Sequence, residues 1–221
     1  TPALGLPELR EAIAGFYATR YGVDLSASRV VVTAGASAAL LLALACLVEP
    51  GGEWLVTDPC YPCNVNFIRC FGGVPVAIPV NAGCNFQPTV DDIDRHWSAR
   101  TAGALFASPA NPTGTVLDDA VLAGIAGRLR EKGGQLILDE IYHGLTYERD
   151  VPTALQHGDD VCVVQSFSKY FNMTGWRLGW LVVPERFTRQ IEVLAQNLYL
   201  SPSSPAQYAA LAAFRPERSE E

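Results

Sequence analysis

No stretch of this 221-residue sequence is long and apolar enough to cross a bilayer. The longest apolar run is Ala38–Val48, and a spanning helix needs about 20 such residues. That run therefore reads as a buried core helix, and no membrane partner is expected. Clustered positive charge is also missing. The formal net charge is −7 and the pI about 5.0, which argues against a nucleic-acid partner, since phosphate binding needs a basic patch. The opening TPALGLPELREA has the wrong order of charged and apolar residues for a secretory leader. No internal repeat, low-complexity tract or linker is visible. Only RPERSEE, residues 215–221, reads as a polar, frayed tail. A second C-x-x-C, or a Cys/His pair at metal-ligand spacing, is absent too.

What remains is a regular alternation of two segment types. Arg29–Thr33, Glu53–Thr57, Val74–Ile78, Ala104–Ala107, Gln135–Leu138, Val161–Gln165 and Leu178–Val183 are short β-branched or aromatic runs, predicted as strands. Helical patterns separate several of them. Leu9, Ile13, Phe16 and Tyr17 fall on one helical face behind Pro7. Ser37–Val48 is stopped by Pro50-Gly51-Gly52, and Asp118–Lys132 by Gly133-Gly134. Phe187–Leu198 and Pro205–Phe214 follow. Strands apolar on both faces, alternating with helices, predict an α/β fold: a three-layer α/β/α unit around a mostly parallel seven-stranded sheet. Six cysteines in such a chain read as free thiols of a reducing cytoplasm rather than as a disulfide framework. Cys46 and Cys162 sit inside apolar runs.

Ligands of such sheets bind in the loops after the strands. After the first strand, Ala34-Gly35-Ala36-Ser37 opens a helix. It is either an anion site made of free backbone N–H groups or a plain cap at Ser37. After the fourth strand comes SPANPTG, residues 108–114. This is either a stiff loop or a mount for the Asn111 amide, and the sharp turn is expected to hold a cis Asn111–Pro112 bond. After the fifth, Asp139 of DEIY is either a helix cap or a desolvated carboxylate seeking a cation. After the sixth, Lys169 stands among Phe167, Tyr170 and Phe171. A poorly solvated ammonium there would yield a neutral amine, nucleophilic toward an aldehyde. Ser166, Ser168 and Arg177 are phosphate-binding types in the same stretch. An amine for an imine, a carboxylate for a heterocyclic cation and donors for a phosphate form the set a pyridoxal-phosphate enzyme uses.

SFSKYFNMTGWRLGW at 166–180 fits an S-x-S-K…G-x-R-x-G signature. With it, SPANPTG, LDEIY and GLPELREAIAGFY at 5–17, the chain resembles the class I/II, fold-type I aminotransferases, from residue 5 to SPSSPAQYAALAAF at 201–214. The resemblance implies a large pyridoxal 5′-phosphate-binding domain over residues 1–214, with the family's N-terminal arm and C-terminal small domain missing. The arginine that grips the substrate carboxylate would be lost with the latter. It implies Lys169 as the lysine that holds the cofactor and moves the proton, and Asp139 as partner of the pyridine nitrogen. Tyr142 and Asn111 would meet the 3′ oxygen. Gly35, Ala36, Ser37, Ser166, Ser168 and Arg177 would hold the phosphate. It implies amino acid and 2-oxo acid substrates and a homodimer. The same fold and lysine also serve lyases, decarboxylases and aminotransferase-like sensor modules of transcription regulators.

TDPCYPCN at 57–64 carries the C-x-x-C of Cys60 and Cys63. That spacing can mark a dithiol, half a zinc site, or nothing. The resemblance makes Tyr61 between them the residue that stacks on the cofactor ring and the thiols incidental. His143 reads as a hydrogen-bonded structural histidine, and His96 and His157 as surface residues.

Overall fold

The computed structural model describes residues 2–147 and 150–214; the predicted tail at 215–221 lies outside them. Seven strands form one sheet: β1 (Val30–Thr33), β2 (Glu53–Asp58), β3 (Val74–Pro79), β4 (Thr101–Ala107), β5 (Gln135–Asp139), β6 (Cys162–Ser166) and β7 (Gly179–Val182). Their order is β1-β7-β6-β5-β4-β2-β3. β7 runs antiparallel to both its neighbours, and the other pairs are parallel. The predicted fold class and all seven strands are thus observed, with ends shifted by up to three residues.

Two apolar cores lie on opposite faces of the sheet, because successive strand residues point opposite ways. Val30, Val32, Leu136, Leu138 and Val163 face one core. Val31, Ile137, Cys162 and Val164 face the other. The first core is covered by α1 (Pro7–Tyr21), α4 (Val90–His96), α5 (Asp119–Glu131) and α7 (Ser204–Ala213). The second is covered by α2 (Ala36–Leu47), α3 (Pro62–Cys70) and α6 (Thr188–Tyr199). α5 buries Leu122, Ile125, Ala126 and Leu129, a stripe at helical spacing.

The sequence reading omitted α3 and α4. Each is short, and each buries little: Asn64 and Ile68 on α3, Ile93 on α4. Tyr61 is therefore not the apex of a loop. It is the residue that caps α3, with Pro62 in the first turn.

Candidate active site

The carboxyl ends of β4, β5 and β6 and the start of α2 converge on a cavity of about 230 Å³. Ten of the eleven predicted site residues line it: Ala36, Ser37, Tyr61, Asn111, Asp139, Tyr142, Ser166, Ser168, Lys169 and Arg177. The eleventh, Gly35, lies beneath Arg177. The site is assembled from segments up to 142 positions apart in sequence, each delivered by the end of a strand.

At one end of the cavity sits the start of α2. Gly35, not Ser37, is its cap, with φ 88° and ψ 170°, a conformation open to glycine but not to residues bearing a Cβ. Ser37 falls in the first turn. The Ala38 and Ala39 N–H groups bond back to the Gly35 carbonyl, so the Ala36 and Ser37 N–H groups begin the helix without intrahelical acceptors. Arg177 reaches over this turn. Its Nη1 donates to the Thr174 carbonyl at 3.0 Å, and Thr174 Oγ1 donates to the Ser168 carbonyl at 2.7 Å. Thr174, absent from the sequence prediction, thus ties Arg177 to the Ser166–Lys169 turn. Within that turn the Ser168 N–H donates to Ser166 Oγ at 3.0 Å, and Ser166 Oγ bonds the Leu178 carbonyl at 3.3 Å.

At the other end lies Asp139. It caps no helix; residues 141–144 form a turn, and the Ile141 N–H donates to Asp139 Oδ1 at 3.1 Å. The carboxyl is buried and meets no cation among the described residues. Burial raises its pKa to about 6, the Ile141 bond pulling weakly the other way. Such a group is poised for a positively charged or strongly donating partner inside the cavity.

Along one side, the Asn111 amide approaches Tyr142 Oη at 3.4 Å. The Asn111–Pro112 bond is cis, as expected, and so are Asp58–Pro59 and Ser108–Pro109. Lys169 Nζ lies 5.8 Å from the centre of the Tyr142 ring. Its environment differs from the sequence expectation, because Lys169 is exposed rather than enclosed by aromatics. The rings flanking it in sequence point away from the cavity. Phe167 is fully buried, 4.9 Å from Trp180 and 5.1 Å from Phe171. Phe171 packs 5.2 Å from Phe214. These rings anchor the turn from behind. Tyr170 lies against Gly144 and under the Arg20 guanidinium, 5.6 Å from its ring centre.

Tyr61 lines the cavity from the α3 side. Its hydroxyl pKa is raised, chiefly by a hydrogen bond with the Cys63 thiol. Burial raises the Cys60 thiol, with Asp58 adding to it. All six cysteines are free, and among the described residues no group of three His, Cys, Asp or Glu side chains could hold a metal ion. His143 is buried and hydrogen-bonded, as read from the sequence. His96 bonds the Asp92 carbonyl, and His157 bonds Asp119. No described helix is long and apolar enough to cross a membrane.

A family model described as "Aminotransferase class I and II" matches residues 1–221. The valine–pyruvate aminotransferase of Mycobacterium tuberculosis is 42% identical over 221 residues, covering 99% of this chain and 57% of that protein. Two solved structures superpose with TM-scores of 0.95: an aminotransferase from Mycobacterium tuberculosis at 41% identity, and the Thermus thermophilus aspartate aminotransferase with maleate at 30%. They cover 100% and 99% of this chain, but only 60% and 58% of the other chains. The chain therefore spans a little over half the length of these relatives.

Proposed function

Since the chain belongs to the class I and II aminotransferase family, whose members generally depend on pyridoxal 5′-phosphate, we propose that residues 1–214 form the cofactor-binding domain of an aminotransferase that moves an amino group between an amino acid and a 2-oxo acid. One observation carries this reading. A buried carboxyl without a cation among the described residues, Asp139, shares a cavity with Lys169, one of only two lysines in the sequence, and with an anion-ready helix start.

These residues fit the cofactor. The Ala36 and Ser37 N–H groups, Ser168 and Arg177 suit its phosphate, Ser166 and Gly35 shaping the turns that present them. Asp139 suits its ring nitrogen, and Lys169, exposed and lining the same cavity, suits its aldehyde. Bound there, pyridoxal phosphate supplies that aldehyde and a ring that accepts electrons released at the substrate α-carbon.

Each protein group then has a task. Asp139 would hold a proton on the ring nitrogen, its buried charge acting strongly over a short distance. Asn111 and Tyr142 orient the ring through its 3′ oxygen. Tyr61 offers a stacking face. Lys169 would hold the cofactor through its amine and would move a proton to and from the substrate α-carbon. Exposed Val193, Leu198 and Leu200, on and just beyond α6, support a homodimer, which sedimentation would test.

The decisive experiment adds pyridoxal phosphate, then borohydride, and maps the stable adduct. It should fall on Lys169. Lys132 is the informative control, being paired with Asp94 at 2.9 Å ahead of β5, whose other end carries Asp139. A panel of amino acids with 2-oxo acid acceptors follows, beginning with valine and pyruvate after the relative's name. Release of carbon dioxide or an elimination product instead of a new amino acid would move the protein to the lyases. An adduct on Lys132 alone would overturn the site.

A further inference from the structure

Behind the Asp139–Tyr142 turn lies a buried network that no step above uses. Glu140 is 0% exposed and His143 3%. Glu140 takes hydrogen bonds from Thr153 Oγ1 at 3.0 and 2.9 Å and from the Ala154 N–H at 2.8 Å. His143 Nε2 lies 2.9 Å from the Ser108 carbonyl. A carbonyl only accepts, so Nε2 carries a hydrogen. In the neutral ring Nδ1 then holds a lone pair. It faces Tyr21 Oη at 3.0 Å, which donates to it, and Glu140 Oε2 at 3.5 Å. An ionised Glu140 would set a second lone pair against Nδ1 without a proton between them. With Nε2 donating to Ser108 and Tyr21 donating to Nδ1, a neutral ring has its hydrogen bonds complete, and a proton on the buried Glu140 removes the repulsion between its Oε2 and Nδ1.

Ser108 and Glu140 belong to different walls of the site. Ser108 opens the loop bearing Asn111; Glu140 separates Asp139 from Tyr142. Asn111, Tyr142 and Pro109 line both the 230 Å³ cavity and a wider, open one of about 730 Å³, so they form the partition between the two. The network is what joins the two halves of that partition from behind.

We propose that Glu140 and His143 form an uncharged buried latch, one proton resting on the carboxyl, that positions Asn111 against Tyr142 and thereby holds the cofactor. They are positioning residues, since neither lines the cavity. The inference rests on the reading of that cavity as a pyridoxal-phosphate site.

The electrostatics agree. Burial raises Glu140 to about 8 and lowers His143 to about 4, so both are neutral near pH 7. The groups facing the pair are Asp139 on β5, Tyr17, Arg20 and Tyr21 on α1, and, through Tyr21 and Arg20, the exposed Asp150. Asp139 disfavours charge on Glu140, and Arg20 disfavours it on His143. As pH rises through about 8, Glu140 loses its proton and the latch slackens.

The test compares the purified protein with Glu140→Gln and His143→Leu variants. Pyridoxal-phosphate affinity is measured by absorbance titration from pH 6 to 9.5, with the borohydride adduct mapped at each point. The unaltered protein should lose up to about tenfold in affinity between pH 7 and 9, the most one proton allows over that range. Glu140→Gln should bind as the parent does at pH 7 and lose the pH dependence, because its amide stays uncharged at every pH. His143→Leu should bind more weakly throughout, with the adduct still on Lys169. Imidazole ¹⁵N signals give a readout free of the cofactor: His143 should be neutral and Nε2-protonated from pH 6 upward. A Glu140→Gln variant that keeps the parental pH profile overturns the latch, as does a doubly protonated His143 at pH 7. If Glu140→Gln does not fold, the parental ¹⁵N spectrum still decides. Absence of any Lys169 adduct in the parent would instead remove the cofactor reading, and the latch with it.

Discussion

Gly35 lies directly beneath the guanidinium of Arg177: a methyl group on its Cα would come within 2.8 Å of Nη2. The glycine is needed twice, for that approach and for its φ of 88°. Gly35→Ala should cost about 1–3 kcal/mol in backbone strain and push Arg177 from its place over the start of α2. The expected outcome is a folded protein with a lower melting temperature and weaker binding of pyridoxal phosphate. Binding of pyridoxal, which lacks the phosphate, should change less. Calorimetry and paired titrations check this; equal losses for both ligands would contradict the assignment of Arg177 to the phosphate.

Asp139 links function to stability. Its pKa in the folded protein is about 6, against 3.8 for an unperturbed carboxyl. Between those values the folded state binds more protons than the unfolded one, so stability falls as pH rises and levels off above about 6. The gap of about two pH units corresponds to roughly 3 kcal/mol. Asp139→Asn removes the buried charge and keeps an oxygen for the Ile141 N–H. The empty variant should therefore be more stable than the parent at pH 7 by up to about that amount, and equal to it near pH 4. The same variant should lose amino-group transfer by several kcal/mol of barrier, the order expected for a preorganised charge. Denaturant titrations at the two pH values, beside a half-reaction assay, separate the effects.

The sheet was legible because every strand is a continuous apolar run, and the strand-end rule then pointed to the loops. Asp139, Lys169 and Arg177 stood out as charged residues where a buried sheet ends. The surroundings of Lys169 did not, since direction is lost in a list of neighbours: Phe167 and Phe171 turn back toward Trp180 and Phe214, leaving the lysine open to the cavity. The Glu140–His143 network was equally hidden. His143 meets Ser108 across 35 residues and Tyr21 across 122, and no local pattern encodes either contact.

A second close approach positions the lysine turn. Gly144, at φ 89°, lies against the ring of Tyr170, next to Lys169 in sequence, and any Cβ there would collide with that ring. Gly144→Ala should displace Tyr170 from Gly144 and Arg20 and shift Lys169. Slower adduct formation with pyridoxal phosphate is expected. Because the start of α2 and Arg177 lie elsewhere, reversible binding of a phosphate-bearing analogue without an aldehyde should fall less than adduct formation does. Loss of both together would mean general unfolding, which circular dichroism would reveal.

The C-x-x-C of residues 60–63 provides the last prediction. The structure places Tyr61 at the cavity wall and at the start of α3, while Cys60 is half-buried with its thiol held protonated by burial. Cys63 is engaged with the Tyr61 hydroxyl, a contact that serine can reproduce. A Cys60→Ser/Cys63→Ser double variant should therefore bind pyridoxal phosphate as the parent does, independent of zinc or reductant. Tyr61→Ala removes the stacking face, worth on the order of 1 kcal/mol, and should weaken retention about fivefold. The three proteins are compared in one titration, with and without reductant. A double variant that loses the cofactor while Tyr61→Ala keeps it would assign the role in this stretch to the thiols and take it from the ring between them.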